Sequence, residues 1–161
     1  MRPFHLNGRL PLAITLATLI TLAALTFIVL AQDTYPLTIT DVVTTDYEGN
    51  TKTSFVKGEV VNVKASVEFP LNYDYSSTLS YLALIRITDP ASRMLILSHS
   101  TGSISQQETK ELGGGGLIPL DAPSGTYEAK VFIWNGWVSV MGENWKSYAA
   151  PASTTFSVTA S

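Results

Sequence analysis

The feature that most constrains this chain is an alternation of apolar and polar side chains with a period of two. In EVVNVKASVEF, residues 59–69, and in TYEAKVFIW, residues 126–134, the odd-numbered positions from 61 and 127 onward are apolar. Successive side chains of a strand point to opposite faces, so this period indicates strands that bury one face and solvate the other. Two such faces supply the two halves of a sandwich core.

Turn residues separate further segments of this kind. The segments predicted as strands are PLTITDVV, EVVNVKASVEF, YLALIRIT, RMLILSHS, GLIPL, TYEAKVFIW and TTFSVTA, which begin at positions 36, 59, 81, 93, 116, 126 and 154. The run Gly113–Gly116 is interpreted as a flexible connection, and no helix is expected after residue 31. The sequence therefore predicts an all-β fold, an immunoglobulin-like antiparallel β-sandwich of about seven strands over residues 32–161.

Residues 1–31 have a different character. Arg2 and Arg9 precede an apolar run over residues 10–31, and the next charge is Asp33. A basic start, an apolar stretch and small residues before a cleavage point are typical of a signal peptide. The run is also long enough for an N-terminal transmembrane anchor. Both interpretations place residues 32–161 outside the cell, so we expect an extracellular or cell-surface protein, held in the membrane through residues 10–31 if uncleaved.

Composition excludes several classes of function. After residue 31 the chain has eight Lys and Arg against thirteen Asp and Glu, and the whole chain has no cysteine. An acidic domain has no electrostatic attraction to nucleic acid, so no nucleic-acid partner is expected. The absence of cysteine removes thiol catalysis and Cys-ligated metals. No cofactor is expected.

The sequence contains no convincing catalytic constellation. His99 is the one histidine after residue 31, and no nucleophile-elbow motif surrounds any serine. Asp46, Glu48 and Asn50 place oxygens at alternate positions of DYEGN, which makes them a candidate calcium site, although a solvated turn is the simpler interpretation. No catalytic residue is assigned, and we expect the chain not to be an enzyme.

Aromatic residues mark a candidate interface. In TYEAKVFIW the face opposite the apolar one begins with charged residues and ends with two large aromatic rings. More aromatic residues follow in the predicted loop after this strand. The candidate interface residues are Phe132, Trp134, Trp137, Trp145, Tyr148, Tyr73 and Tyr75. Either the loop folds back and buries these rings as a satellite cluster, or they stay exposed for a protein or carbohydrate partner.

The first predicted strand suggests a route to assembly. It follows the cleavage point directly, and Tyr35, Leu37 and Ile39 are the residues that would enter a neighbouring subunit if the strand were exchanged. The alternative is that the strand pairs within its own sandwich.

A family resemblance adds to this interpretation. FVKGEVVNVKASVEF, then APSGTYEAKVFIWN and YAAPASTTFSV, resemble the immunoglobulin-like or CARDB-like modules of prokaryotic, often archaeal, surface proteins. The resemblance covers about 100 of the 161 residues and implies a noncatalytic surface, adhesive or assembly module.

We therefore expect an exported cell-surface structural module: a filament subunit, an S-layer-associated protein or a membrane-anchored component. Its partners would be copies of itself or other surface proteins. The alternative is a carbohydrate- or protein-binding module that uses the Trp and Tyr residues, and a secreted hydrolase is a distant third.

Overall fold

The computed structural model describes residues 35–71 and 74–160. Eight strands run in chain order: β1 Thr38–Thr45, β2 Ser54–Val56, β3 Val60–Glu68, β4 Thr78–Thr88, β5 Met94–Ser105, β6 Thr109–Leu117, β7 Gly125–Trp134 and β8 Ala152–Thr159. A short helix, α1 (Val138–Met141), and a 3-10 turn, Gly142–Asn144, lie between β7 and β8. None of the helices in these ranges is long and apolar enough to cross a membrane, and the predicted signal or anchor segment 1–31 lies outside them.

The strands form two sheets. A smaller sheet has the order β1-β3-β6, and a larger sheet has the order β2-β8-β7-β4-β5. The apolar odd-numbered residues of β3 and β7 are buried between the sheets, as the alternation predicts. The predicted β-sandwich is confirmed, with eight strands in place of about seven and with one short helix that was not expected.

The pairing is not wholly antiparallel. β2 runs parallel to β8, with Phe55 opposite Val158, whereas the other ladders are antiparallel. After β1 the chain leaves the smaller sheet and crosses to the edge of the larger one, so β2 meets β8 by a crossover and not by a hairpin. Phe55 alone of its three residues is buried, and a segment this short shows no period that would predict it.

The interpretation of Gly113–Gly116 as a flexible connection is wrong. All four glycines lie in β6 and pair with β3. A methyl group on Gly114 would collide with the hydroxyl of Ser98 on the opposite sheet, and one on Gly115 would collide with the backbone carbonyl of Val61. Glycine is therefore required at position 114 because the two sheets approach closely there, and at position 115 because the backbone of β3, the neighbouring strand of the same sheet, lies against it.

Tyr127 fixes the start of β7 in the core. Its ring is fully buried and stacks on Phe156 with centroids 5.5 Å apart. Its hydroxyl donates a 2.7 Å hydrogen bond to the carbonyl of Pro123, four residues upstream, in the manner of the tyrosine corner of immunoglobulin-like folds. Burial, with a further contribution from the charge of Asp89, raises the pKa of Tyr127, so the hydroxyl remains a donor.

Removal of this hydroxyl should weaken the fold. In Tyr127→Phe the partly buried Pro123 carbonyl loses its donor, so the free energy of unfolding should fall by about 1–2 kcal/mol, measured by urea denaturation. Tyr47→Phe is the matched control, because Tyr47 is 84% exposed. Equal stability of the two variants would contradict the role given to this hydrogen bond.

The glycines of β6 should differ sharply in their tolerance of alanine. Gly114→Ala should destabilise the protein by about 1–3 kcal/mol through overpacking, and Ser98→Gly in the same chain should restore much of the loss. Gly113→Ala should be nearly neutral, since its methyl group would meet nothing closer than the Val63 carbonyl at 3.8 Å. Thermal unfolding of the variants checks this order of stability. A Gly114→Ala variant as stable as the wild-type chain would contradict the close approach of the two sheets.

Candidate functional site

The outer face of the larger sheet carries apolar residues where a solvated face is expected. By register, Leu82 lies opposite Trp134 and Leu84 opposite Phe132, all four on the face turned away from the core. Leu82 and Leu84 are nevertheless only 1% and 3% exposed, and they do not belong to the main core cluster. A second layer of structure must therefore cover this end of the sheet.

The covering layer is the loop between β7 and β8, residues 135–151. It returns along β7: the amide of Tyr148 donates to the carbonyl of Ile133 at 2.7 Å. The side chain of Asn135 holds the loop closed, because its Nδ2 donates to the Asn144 carbonyl at 2.7 Å and its Oδ1 accepts from the Lys146 amide at 2.9 Å. The loop is thus fastened to the strand that it leaves.

Three rings, Phe132, Trp134 and Trp145, fill the space between loop and sheet, and together with Trp137 we call them the outer aromatic cluster. Trp134 lies 5.8 Å from Phe132 and 5.3 Å, edge to face, from Trp145. Trp137 stands apart from this group and packs edge to face on His99 of β5, with centroids 5.3 Å apart. Such separations are those of favourable aromatic pairs.

The cluster is unevenly covered. Phe132, Trp134 and Trp145 are partly buried, whereas Trp137 is 40% exposed, and its neighbours Val138 and Val140 are 51% and 77% exposed. Helix α1 buries none of its residues. The sequence did not decide whether these rings are buried or exposed. In the structure three of the rings are partly buried and Trp137 is exposed.

An open groove of about 510 Å³ runs beside Trp137. Its lining consists of Ser80, Tyr81, Leu82, Thr101, Gly102, Ser103, Asn135, Gly136 and Trp137. Hydroxyl-bearing residues from β4 and β5 therefore face one indole, and no charged side chain lines the groove. Apart from Trp137, sequence reasoning did not find these residues, because the register that joins β4 to β5 is needed to place them together.

The cluster desolvates two nitrogen atoms. The Nε atom of Arg86 and the Nε1 atom of Trp145 are buried and have no hydrogen-bond partner in the described part of the chain. The guanidinium of Arg86 lies 5.5 Å from the centroid of the Phe132 ring, and this cation–π contact offsets part of its desolvation. The apolar packing is therefore strong enough to hold polar atoms out of water.

The other predicted interface residues lie elsewhere. Tyr148 and Tyr75 pack against the main core, and Tyr73 lies outside the described ranges. Burial, and secondarily the neighbouring Tyr75, raise the pKa of Tyr148. The structure thus assembles the Phe and Trp candidates on one surface and directs two of the tyrosines to the core.

The candidate calcium ligands form a hydrogen-bonded turn. The Asp46 carboxylate accepts from the Asn50 amide at 2.9 Å and from Asn50 Nδ2 at 3.2 Å, and Glu48 accepts from the same Nδ2 at 3.4 Å. The backbone hydrogen bond from Asn50 is the main cause of the lowered pKa of Asp46. Asn50 therefore acts as a donor to both acids, and within the described ranges no three His, Cys, Asp or Glu side chains converge as metal ligands.

The first strand lies within its own domain in this chain. β1 pairs with β3 along its length. Leu37, which precedes β1, is buried, and Ile39 packs against the core. Tyr35 is partly buried. Exchange of this strand between subunits stays a prediction.

Asn135 should control the order of the loop without controlling the fold. Asn135→Ala removes two hydrogen bonds, so the Lys146 amide and its neighbours should exchange with deuterium at least about tenfold faster, while β3 exchanges unchanged. Asn144→Ala is the control, since it keeps the carbonyl that Asn135 contacts. If the loop amides of both variants exchanged at the same rate, the Asn135 side chain would not hold the loop closed.

Comparison with known proteins concerns the fold. No protein-family model and no curated sequence matches this chain. Among solved structures, the C-terminal domain of Wzt is similar with a TM-score of 0.61 and 14% identity, over 80% of this chain and 76% of that one. An alkylpurine DNA glycosylase of Pseudomonas fluorescens is similar over 77% of this chain but only 30% of its own, with a TM-score of 0.51 and 11% identity.

A CARDB domain from Pyrococcus furiosus also matches, over 81% of this chain and all of that domain, with a TM-score of 0.48 and 15% identity. The likeness to the Wzt domain shows a shared β-sandwich. Together with the observed topology, it confirms the predicted resemblance to immunoglobulin-like or CARDB-like modules at the level of the fold.

Proposed function

We propose that this chain is a noncatalytic module that acts outside the cell and binds carbohydrate in the groove beside Trp137. Export is supported by the basic and apolar character of residues 1–31 and by the low charge content of the chain. The cell-surface structural role predicted from the sequence is compatible with such binding, because a surface module needs a contact with its surroundings.

The observation that carries the proposal is the position of Trp137. Trp137 is 40% exposed, and its ring packs edge to face against His99. A ring held in place and left partly open offers apolar area at small entropic cost on binding. Trp134 and Trp145 lack this openness and serve to support the loop.

The chemistry of the groove favours a neutral sugar over a protein segment. A pyranose ring presents an apolar face to an indole and hydroxyls at its rim, and Ser80, Thr101 and Ser103 supply hydroxyls opposite Trp137. The lining has no charged side chain, so acidic or basic ligands gain no specific partner there.

The described residues give no support to a hydrolase. His99, the one histidine among them, packs its ring edge to face against Trp137. Asp89 has a structural role at a turn: it accepts hydrogen bonds from the amides of Ala91 and Arg93 and pairs with the Arg93 side chain. Burial opposes ionisation of Asp89, but these hydrogen bonds outweigh it and lower its pKa.

Truncation of Trp137 should abolish glycan binding. The probes are neutral hexasaccharides of gluco, manno and galacto configuration, and the method is isothermal titration calorimetry. Trp137→Ala should lower the affinity for the hexasaccharide that binds by at least about thirtyfold, as for a binding hot spot. Tyr47→Ala, which removes an exposed ring from the turn after β1, should leave the affinity unchanged.

Two results would count against the proposal. One is that none of the hexasaccharides binds the wild-type chain. The other is binding that survives Trp137→Ala, which would move the site away from the groove. Capture of a surface protein in a Trp137-dependent manner, without glycan binding, would establish the protein-binding alternative instead.

A further inference from the structure

The outer strand β5 is an edge that lacks the usual protection against pairing. It spans Met94–Ser105 and, as the last strand of the larger sheet, has β4 as its one ladder partner. Its sequence, MLILSHSTGSIS, contains no Lys, Arg, Asp, Glu or Pro. Natural edge strands are usually short, charged or interrupted, because an open edge pairs with other chains.

The other edges of the sandwich are protected in these ways. β2 has three residues. β1 contains Asp41 next to an irregularity in its ladder, and β6 contains Lys110 and Glu111. The open character of β5 is therefore particular to that strand.

Hydrogen bonds at the end of β5 show which of its backbone groups point outward. The carbonyl of Ser103 accepts from the Nζ of Lys110, and the amide of Ser105 donates to the carboxylate of Glu108 at 2.8 Å. Both residues therefore turn their backbone groups away from β4. The N–H and C=O groups of one strand residue point to the same edge of the strand, and those of the next residue point to the opposite edge. In this part of β5 the backbone groups of the odd-numbered residues therefore point away from β4.

Three successive outward positions remain open. Leu97, His99 and Thr101 are exposed, and as odd-numbered residues they direct their backbone N–H and C=O groups away from β4, which is their one ladder partner in the described part of the chain. They offer three N–H and three C=O groups in a row. The ladder to β4 is regular over these positions, with its irregularity confined to Ile87/Thr88 at the far end of β4.

We propose that β5 pairs with β5 of a second copy of this chain, antiparallel and about a two-fold axis at His99. Antiparallel pairing about such an axis makes the strand its own complement. His99 of one copy then exchanges both backbone hydrogen bonds with His99 of the other, and Leu97 pairs with Thr101 on each side. The two larger sheets become one continuous sheet.

A second copy fits this edge for two reasons. The strand is uncharged, so two copies meet without like-charge repulsion although the exported part of the chain is acidic. The side chains of Leu97, His99 and Thr101 share the outer face with the groove beside Trp137. Pairing would place the two grooves side by side on one surface, which increases avidity for a repetitive ligand.

The test is a charge exchange at the proposed axis, in the full-length chain, by analytical ultracentrifugation. The wild-type chain should dimerise. His99→Lys and His99→Asp, each alone, should lower the association constant at least about tenfold, because two like charges then lie directly opposite. An equimolar mixture of the two variants should recover the dimer, because opposite charges then meet.

Thr155→Lys and Thr155→Asp are the controls. Thr155 is exposed on β8, in the interior of the same sheet, and every variant retains residues 1–31, so association through that segment would be common to all. A monomeric wild-type chain would overturn the proposal. So would dimers that are insensitive to the charge at residue 99, or single variants whose mixture stays monomeric.

Discussion

Strand β7 packs apolar side chains on both of its faces at its C-terminal end, and the rest of the structure depends on that constraint. Val131 and Ile133 close the main core between the sheets, while Phe132 and Trp134 hold the return loop on the outside. The outer face of the strand thus begins with charged side chains and ends with aromatic rings, all of them partly buried. Two apolar layers, and not one, are organised around the same few residues.

This arrangement explains why a loop of irregular structure presents a ring in a defined position. The loop is fastened by Asn135 at its base and by the contact of Trp145 with Trp134 beneath it. Trp137 lies beyond these supports and rests on His99 of a neighbouring strand. The rigid sheet therefore determines the geometry of the exposed indole, which is the usual way in which a scaffold supports a binding loop.

The sequence predicts the parts of the fold that follow a simple period. The inward faces of β3 and β7 are readable because each apolar residue alternates with a polar one, and the tyrosine in PSGTY falls on the buried face. The three residues of β2 are too few to show a period. The glycines of β6 conceal their strand because they have no side chain whose burial would produce an alternation.

The candidate site was predictable in composition but not in geometry. The Phe and Trp residues are evident in the sequence, yet their division into supporting and exposed rings depends on where the loop folds. The hydroxyls of Ser80 and Thr101 meet Trp137 through the pairing of β4 with β5, and no local pattern encodes that register. Tyr148 was grouped with the tryptophans because it is near in sequence, but it packs against the main core.

The most direct test of the central claim is ¹⁹F NMR of the chain labelled with 5-fluorotryptophan, which gives one resonance for each of its three tryptophans. We expect the Trp137 resonance to show the largest solvent isotope shift. We also expect it to be the resonance that changes its chemical shift when a neutral oligosaccharide that binds the protein is added. Trp134 and Trp145 should be little affected. Equal solvent shifts at all three rings, or a ligand response at Trp145 without one at Trp137, would contradict the division between supporting and exposed rings.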